Sequence, residues 1–381
     1  MLANKPLNNK ILHIELAKGG GVEVYVRMLL NHTSQQYQSA LICPQIFNKN
    51  ALTNFNGTIY EIDSKREISL FADLATVLKI RRIIKKENPD ILYCHSSKAG
   101  ALGRVAALGK KCKIIYNAHG WSFGMNTSKL KKSIYIFTER LLAKMTDKII
   151  TISEFEKALA LKNKVGNANK LQAILNGIDL TQSKKPTTLT RQELNIPPDA
   201  LVVGCVARIS AQKDPLLFAK AARLVKQAIP NTFFLWVGDG ELKEEFAQTL
   251  KDCNVDGSTI ITGWVDNTHE YIELFDIAVL FSQWEGFGLV LAEYMAHCKP
   301  IVAHKTDAIP EIITHQRNGI LIEDITPQKA ANAIIDIYNL ENKEEIRANN
   351  LTDAEQFDVA RVARQTEDIY KALTEKGMIR K

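Results

Sequence analysis

Glu285 and Glu293 stand eight residues apart in "FSQWEGFGLVLAEYMAHCKP", around Gly286 and Gly288. A carboxylate can accept from both hydroxyls of a ribose-like diol. Glycines let the backbone approach a ligand, and N–H groups at a helix start favour an anion. On a straight helix eight residues turn through about 80° net, so both acids can face one cleft. The same spacing also suits a loop acid followed by an ordinary solvated helix acid. A second stretch, "VARISAQKDP", sets Arg208 five residues before Lys213, ahead of a helix opened by Asp214-Pro215. A guanidinium fork and an ammonium point charge there suit a diphosphate; two surface cations in a loop are the plainer alternative.

Two stretches in the first half could also meet a ligand. "ELAKGGGVEVYVRMLL" joins a strand to a helix through Gly19, Gly20 and Gly21, without the dinucleotide spacing G-x-G-x-x-G. "YNAHGWSFG" puts His119 straight after a strand, where it is either structural or catalytic. No Ser-His-Asp set accompanies it, and no pair of His or Cys ligands forms a metal site.

These residues need strand ends to hold them, and the chain alternates short apolar strands with amphipathic helices, the grammar of an open, mostly parallel sheet. In the first half, strands are expected at 11–15, 39–43, 91–95, 113–117 and 148–153. Helices are expected there at 21–31, 69–88, 99–109 and 129–146. The polar stretch "DLTQSKKPTTLT", Asp179 to Thr190, reads as an interdomain linker. Strands then follow at 201–207, 232–237, 259–262, 277–281 and 301–304, with helices at 215–228, 242–252, 268–275 and 288–297. A last helix from about Ala360 lies beyond the second sheet and is expected to cross back to the first domain. The domains are therefore 1–180, 181–359 and a returning helix at 360–381, with a cleft between the carboxyl ends of the strands.

At 381 residues the chain is long enough for two domains. No uncharged apolar run approaches the roughly 20 residues that span a bilayer, and the start shows no signal-peptide segment. The six cysteines are scattered, as reduced core thiols in a cytoplasmic protein would be. Residues 1–180 carry 27 Lys and Arg against 13 Asp and Glu, the remainder 22 against 29. A basic half implies a polyanion or an anionic membrane as its neighbour. "TSKLKKSIYIFTERLLAKMTDK" spaces Leu130, Ile134, Phe137, Leu141 and Met145 as one stripe beside Lys129, Lys131, Lys132, Arg140 and Lys144. Either this stripe packs on the domain with a wet basic face outward, or it rests on a membrane surface. A nucleic-acid partner is not expected, because stacking aromatics are not interleaved with the cations and no recognised module is present.

"EGFGLVLAE" resembles the E-x7-E element of retaining GT-B glycosyltransferases of family 4, the glycosyl transferases group 1. "GGGVE", "NPDILYCHSSKAGALGR", "NAHGWSF", "ILNGID", "ARISAQKD", "VGDGELK", "TGWVDN" and "IPEII" follow in family order, so the resemblance spans nearly the whole chain. It implies two Rossmann-like domains and transfer of a hexose or N-acetylhexosamine from a nucleotide-sugar, with uridine the favoured base. The "HSSKAG" and "HGWSF" variants resemble members that build capsule, O-antigen or lipid-linked oligosaccharides, so the implied acceptor is a glycan or a polyprenyl-linked glycan. Residue by residue, Arg208 and Lys213 would hold the diphosphate, with the backbone of Gly286, Phe287, Gly288 and Leu289 adding donors. Glu293 would take the ribose and Glu285 hydroxyls of the transferred sugar. Gly20 and Gly21 would approach phosphate and sugar, His119 would lie beside the reacting sugar or the acceptor, and Gly263-Trp264 would lie under the base. No metal or other cofactor is implied. Many members carry Gly-Gly before the Pro-Glu of "IPEII", where this chain has Asp307-Ala308. The rival readings are a nucleotide-sugar epimerase of the same architecture and a non-catalytic nucleotide-sugar-binding protein. The expected location is cytoplasmic, peripheral on the inner face of the cell membrane.

Overall fold

The computed structural model describes residues 9–17, 19–64 and 69–378. The chain divides into two compact units, Met1–Gly177 with Val359–Lys381, and Ile178–Asp358. The first break falls at Gly177, ahead of the polar stretch read as a linker. That stretch belongs to the second unit, and just beyond it Arg191 is pinned there by Asp276 at 2.9 Å and by the carbonyls of Pro198, Ala200 and Leu274. Its polarity reflects exposure, not freedom from the domain.

The first unit holds a seven-stranded parallel sheet. Its strands are β1 (Lys10–Glu15), β2 (Gln38–Cys43), β3 (Thr58–Glu61), β4 (Ile91–His95), β5 (Lys113–Asn117), β6 (Lys148–Thr151) and β7 (Leu171–Ala173), in spatial order β3-β2-β1-β4-β5-β6-β7. The helices are α1 (Gly21–His32), α2 (Leu70–Glu87), α3 (Ser97–Ala106), α4 (Lys129–Ala143) and α5 (Glu154–Lys162). Strand residues alternate between faces. Leu12, Ile14, Leu92, Cys94, Ile114 and Tyr116 pack under α2, α3, α4 and α5. Ile11, Tyr93 and Ile115 pack on the other face under α1 and the final helix, which runs Val359–Met378 and belongs to this unit.

The second unit holds six parallel strands: β8 (Leu201–Val206), β9 (Thr232–Val237), β10 (Thr259–Ile261), β11 (Ile277–Leu280), β12 (Ile301–His304) and β13 (Gly319–Ile322), ordered β10-β9-β8-β11-β12-β13. Its helices are α6 (Pro215–Ala228), α7 (Lys243–Asp252), α8 (Thr268–Glu273), α9 (Leu289–Ala296), α10 (Pro327–Asn339) and α11 (Lys343–Ala354), so the final helix is α12. The strand order reverses between β1 and β4 in the first unit and between β8 and β11 in the second. Such switch points leave a crevice beyond the carboxyl ends of the strands, where doubly wound sheets bind ligands. Both units are thus the doubly wound domains that the strand–helix alternation predicts.

The α4 stripe does not pack as its amphipathic pattern allowed. The helix seats on the sheet through Tyr135, Ile136, Leu142 and Ala143. Leu130, Ile134, Phe137 and Leu141 are each more than half exposed, and Met145 lies beyond the helix end. On the same side of the sheet α2 exposes Leu70, Phe71, Leu74 and Leu78.

Candidate functional site

In the second unit the loops after β8 and β11 flank the switch point and are stitched together. Gln283 donates its N–H to the Gln212 carbonyl at 2.8 Å, and the Gln212 side chain donates to the Trp284 carbonyl at 2.9 Å. Gln283 also reaches Asp214 at 2.6 Å; Asp214 in turn caps α6 by accepting from the Leu217 N–H. The stitching brings Lys213 Nζ to 2.5 Å from Glu285 Oε2, across 72 positions of sequence. Both side chains are largely buried, and Ser282 Oγ donates to the same carboxylate oxygen at 3.1 Å.

Glu285 is held from the backbone side as well. Its N–H donates to Asp307 Oδ2 at 2.9 Å, and its carbonyl accepts from the Ala308 N–H at 3.3 Å. Asp307 stands where the family resemblance implied glycine and adopts φ +47°, a left-handed conformation that aspartate tolerates better than most side chains. At this position Asp307 places an acceptor under the Glu285 backbone. Burial pushes the Asp307 carboxyl upward from its ordinary value. Gly288, at φ +92°, caps α9; a Cβ there would stand 3.3 Å from Glu285 Cγ.

The remaining expected contacts are distributed differently. Phe287 turns its ring into the core against Phe357, so its backbone alone is offered to a ligand. Leu289 opens α9, whose first N–H groups lack intrahelical acceptors. Glu293 lies one turn further along α9, half-buried, and its carboxylate makes no hydrogen bond to another described residue. Burial alone raises its pKa to about 7. Arg208 does not join the Lys213–Glu285 pair: it is more than half exposed and pairs with Glu241 at 3.0 Å, on the loop after β9. Gly263, at φ +72°, pairs with Gly238 in an antiparallel bridge, and Trp264 beside it is 73% exposed. Glu241 and Ser282 escaped the sequence reading, and Asp307 was marked only as a departure, because their contacts arise from loops brought together by the fold.

In the first unit Gly19 and Gly20 carry φ +82° and +84°, conformations that favour glycine, and Gly20 caps α1 ahead of Gly21. His119 follows β5 at φ +54°, with its N–H donated to Asn117 Oδ1 at 2.9 Å. It is not a lone histidine. His95 Nδ1 lies 3.1 Å from His119 Nε2, and His95 Nε2 lies 3.2 Å from His13 Nδ1. Glu15, at the carboxyl end of β1, is a further buried acid that sequence reasoning passed over; burial lifts its pKa to about 8. Among the described residues no group of three or more His, Cys, Asp or Glu is disposed to hold a metal ion.

Two doubly wound units with a charged loop pair at a switch point define the GT-B class, and solved structures agree. The chain superposes on Anabaena HepE, solved with UDP and glucose, with a TM-score of 0.81 over 96% of this chain and all of that one, at 21% identity. Sucrose-phosphate synthase from Thermosynechococcus elongatus gives a TM-score of 0.82 over 97% and 100% of the two chains, at 18% identity. Residues 186–353 match the glycosyl transferases group 1 model, and residues 19–182 match glycosyltransferase family 4. The chain is 30% identical to the UDP-Gal:alpha-D-GlcNAc-diphosphoundecaprenol alpha-1,3-galactosyltransferase of Escherichia coli over 68% of each protein. It is likewise 30% identical to a 41.2 kDa protein of the cps region of Klebsiella pneumoniae, over 86% of this chain and 89% of that one. The protein belongs to this family and is a GT-B glycosyltransferase.

Proposed function

We propose that the protein moves a hexose or N-acetylhexosamine from a UDP-sugar to a glycan or polyprenyl-linked acceptor, with retention at the anomeric carbon, in the synthesis of a bacterial surface polysaccharide or lipid-linked oligosaccharide. The observation that carries this reading is the Lys213–Glu285 pair at the switch point of the second unit, next to the start of α9. As the glycosidic bond to the donor breaks, charge grows on the departing diphosphate. Lys213, Arg208 and the N–H groups from Gly286 to Leu289 are fixed positive charge and dipoles for it, in the role that metal ions play elsewhere. In this reading no metal is needed. Glu285 takes hydroxyls of the transferred sugar and Glu293 those of the ribose, while Gly263 and Trp264 lie under the base. Gly20, Gly21 and His119 of the first unit serve the phosphate, the sugar and the acceptor.

The names of the relatives support a UDP-linked donor and a lipid-linked acceptor, since one is a UDP-galactose enzyme acting on a diphosphoundecaprenol. A panel of nucleotide sugars should give one that raises the unfolding temperature, because a ligand bound only by the folded state stabilises it. With that donor and a polyprenyl-diphosphate glycan, the product should carry the donor's anomeric configuration by NMR. Epimerisation of the donor without acceptor would replace this reading with an epimerase. Binding without turnover on any acceptor would favour a sensor.

An anionic membrane surface is the proposed site of action. The exposed face of α4 combines Leu130, Ile134, Phe137 and Leu141 with Lys129, Lys131, Lys132, Arg140 and Lys144, and its one acid, Glu139, is buried. An apolar stripe whose exposed charged neighbours on the helix are all cations suits the headgroup boundary of an anionic bilayer. No helix among the described residues is long and apolar enough to cross a membrane. The protein should float with vesicles containing anionic lipid and remain behind with neutral ones, and Ile134→Asp with Phe137→Asp should remove the flotation. Equal recovery on both lipids would discard the membrane contact.

A further inference from the structure

β1 and β4 are adjacent and in register, Glu15 opposite His95 and His13 opposite Tyr93. This places His13 and His95 on one face, fully buried beneath α1 and α12. Their rings stack at 5.5 Å between centroids, and His95 stacks on His119 at 5.4 Å. Tyr93 covers His95 at 4.0 Å, and Tyr25 meets His119 edge-on at 4.5 Å. Three imidazoles thus form one hydrogen-bonded file with two free ends. At the inner end His13 Nε2 is buried and has no hydrogen-bond partner. At the outer end the ring of His119 is part exposed, and its Nδ1 makes no hydrogen bond to another described residue.

A neutral imidazole carries one N–H, so the file has two proton arrangements, each all-or-none. In one, His13 bears its proton on Nε2, and every hydrogen bond in the file is donated inward, from His119 towards His13. That leaves a donor with no acceptor in a dry interior. In the other, each Nδ1 carries the proton, and the orphan is a bare lone pair. Buried N–H groups without an acceptor are the rarer and costlier of the two cases. The second arrangement is therefore preferred, although imidazole in water favours the proton on Nε2.

We infer that His13 and His95 are positioning residues that lock His119 in the Nδ1–H tautomer, so that it offers a sugar oxygen a neutral hydrogen-bond donor and not a base. The inference rests on the proposed placement of His119 beside the sugar or acceptor. Burial supports it: His13 and His119 are pushed down to about 3 and His95 well below its usual value, with its two neighbours adding to burial. The titratable groups facing the file are Tyr25 of α1, Tyr93 of β4 and Tyr370 of α12, all held protonated by burial, with Glu15 at the end of β1.

Nitrogen NMR of the whole protein with labelled histidine reads the tautomers directly. The expected spectrum has all three rings protonated at Nδ1 at neutral pH; a proton on Nε2 of His119 overturns the inference. In His95→Phe, which keeps the ring and removes both nitrogens, His119 should revert towards Nε2–H. In His95→Asn, whose amide replaces Nδ1, His119 should keep its tautomer. His119 unchanged in the Phe variant would equally overturn the locking. With the donor that the nucleotide-sugar panel selects, His95→Phe should lower kcat about tenfold, the worth of one hydrogen bond, with donor KM unchanged, while His95→Asn stays near wild type. A tautomer change without loss of kcat would uphold the locking and remove His119 from the transfer reaction.

Discussion

Lys213→Ala should lower kcat/KM for the donor by roughly 10²–10³-fold, the cost of deleting one preorganised donor aimed at developing charge. The reason lies in where Lys213 sits. Its ammonium is largely buried against Glu285, in a loop that Gln212, Gln283 and Asp214 hold in place. In the proposed reading an incoming diphosphate competes with that carboxylate for the cation, which makes Glu285 and the donor rivals for Lys213 as well as partners in the site. Glu285→Gln separates the two effects. In that reading it frees Lys213 for the diphosphate and takes a carboxylate from the transferred sugar. Donor KM should fall or hold while kcat drops by about 10²-fold or more, the pattern of an interaction made chiefly in the transition state. Arg208→Ala should act more evenly on binding and turnover, because Arg208 is solvated and its partner Glu241 is exposed. Steady-state kinetics with the true donor, beside unfolding curves that show intact folding, would check all three. Near-normal turnover in Lys213→Ala or Glu285→Gln would remove the pair from the mechanism.

Arg104→Ala is expected to be the most destabilising single change in the first unit, by about 3–5 kcal/mol, because it strips one partner from a buried ion pair. Arg104 is fully buried on α3. Its guanidinium donates to Glu139 on α4 at 2.9 Å and to the Gly100 carbonyl at 2.7 Å, and lies 3.8 Å from the centre of the Tyr116 ring on β5. Tyr116 completes the set by donating to the other Glu139 oxygen at 2.8 Å. Removing the guanidinium leaves a buried carboxylate with only that phenol for support. Arg104→Met combined with Glu139→Leu should recover most of the loss, since matched apolar groups replace such pairs at little cost. Chemical denaturation followed by amide exchange in the first unit would read both variants. Equal stability of Arg104→Ala and wild type would mean that Glu139 finds another partner.

The alternation of strands and helices was legible because the central strands are short buried runs: Ile11–Glu15 and Ile91–His95 are buried at every position. Edge strands gave a weaker signal. β3 (Thr58–Glu61) is exposed at both ends and half-buried between, and β7 (Leu171–Ala173) has three residues, so neither shows a clear run. α10 was overlooked although Thr326 caps it, with Pro327 at its first position, a start signal plainly written. At the site, residue types at strand ends marked Lys213, Glu285 and His119 one by one. What the sequence could not say is who pairs with whom. The Lys213–Glu285 contact depends on β8 lying beside β11, and the histidine file on β1 lying beside β4. Those adjacencies are properties of strand order, which local pattern does not encode. Solvent exposure of the α4 stripe was hidden for a similar reason: both faces of that helix carry apolar residues, and tertiary packing chose the less basic one.

Helix α12 has a bearing on how the polypeptide matures. Its buried side chains, Val362, Ala363, Ile369 and Tyr370, fill the layer that covers Tyr25, Leu29 and Tyr93 of the first unit. Translation proceeds from the other end, so residues 178–358 emerge complete while the earlier lobe still waits for its last turn of packing. The usual vectorial order is thereby inverted. The first lobe stays unfinished, its aromatic layer uncovered, until the residues of α12 have been made.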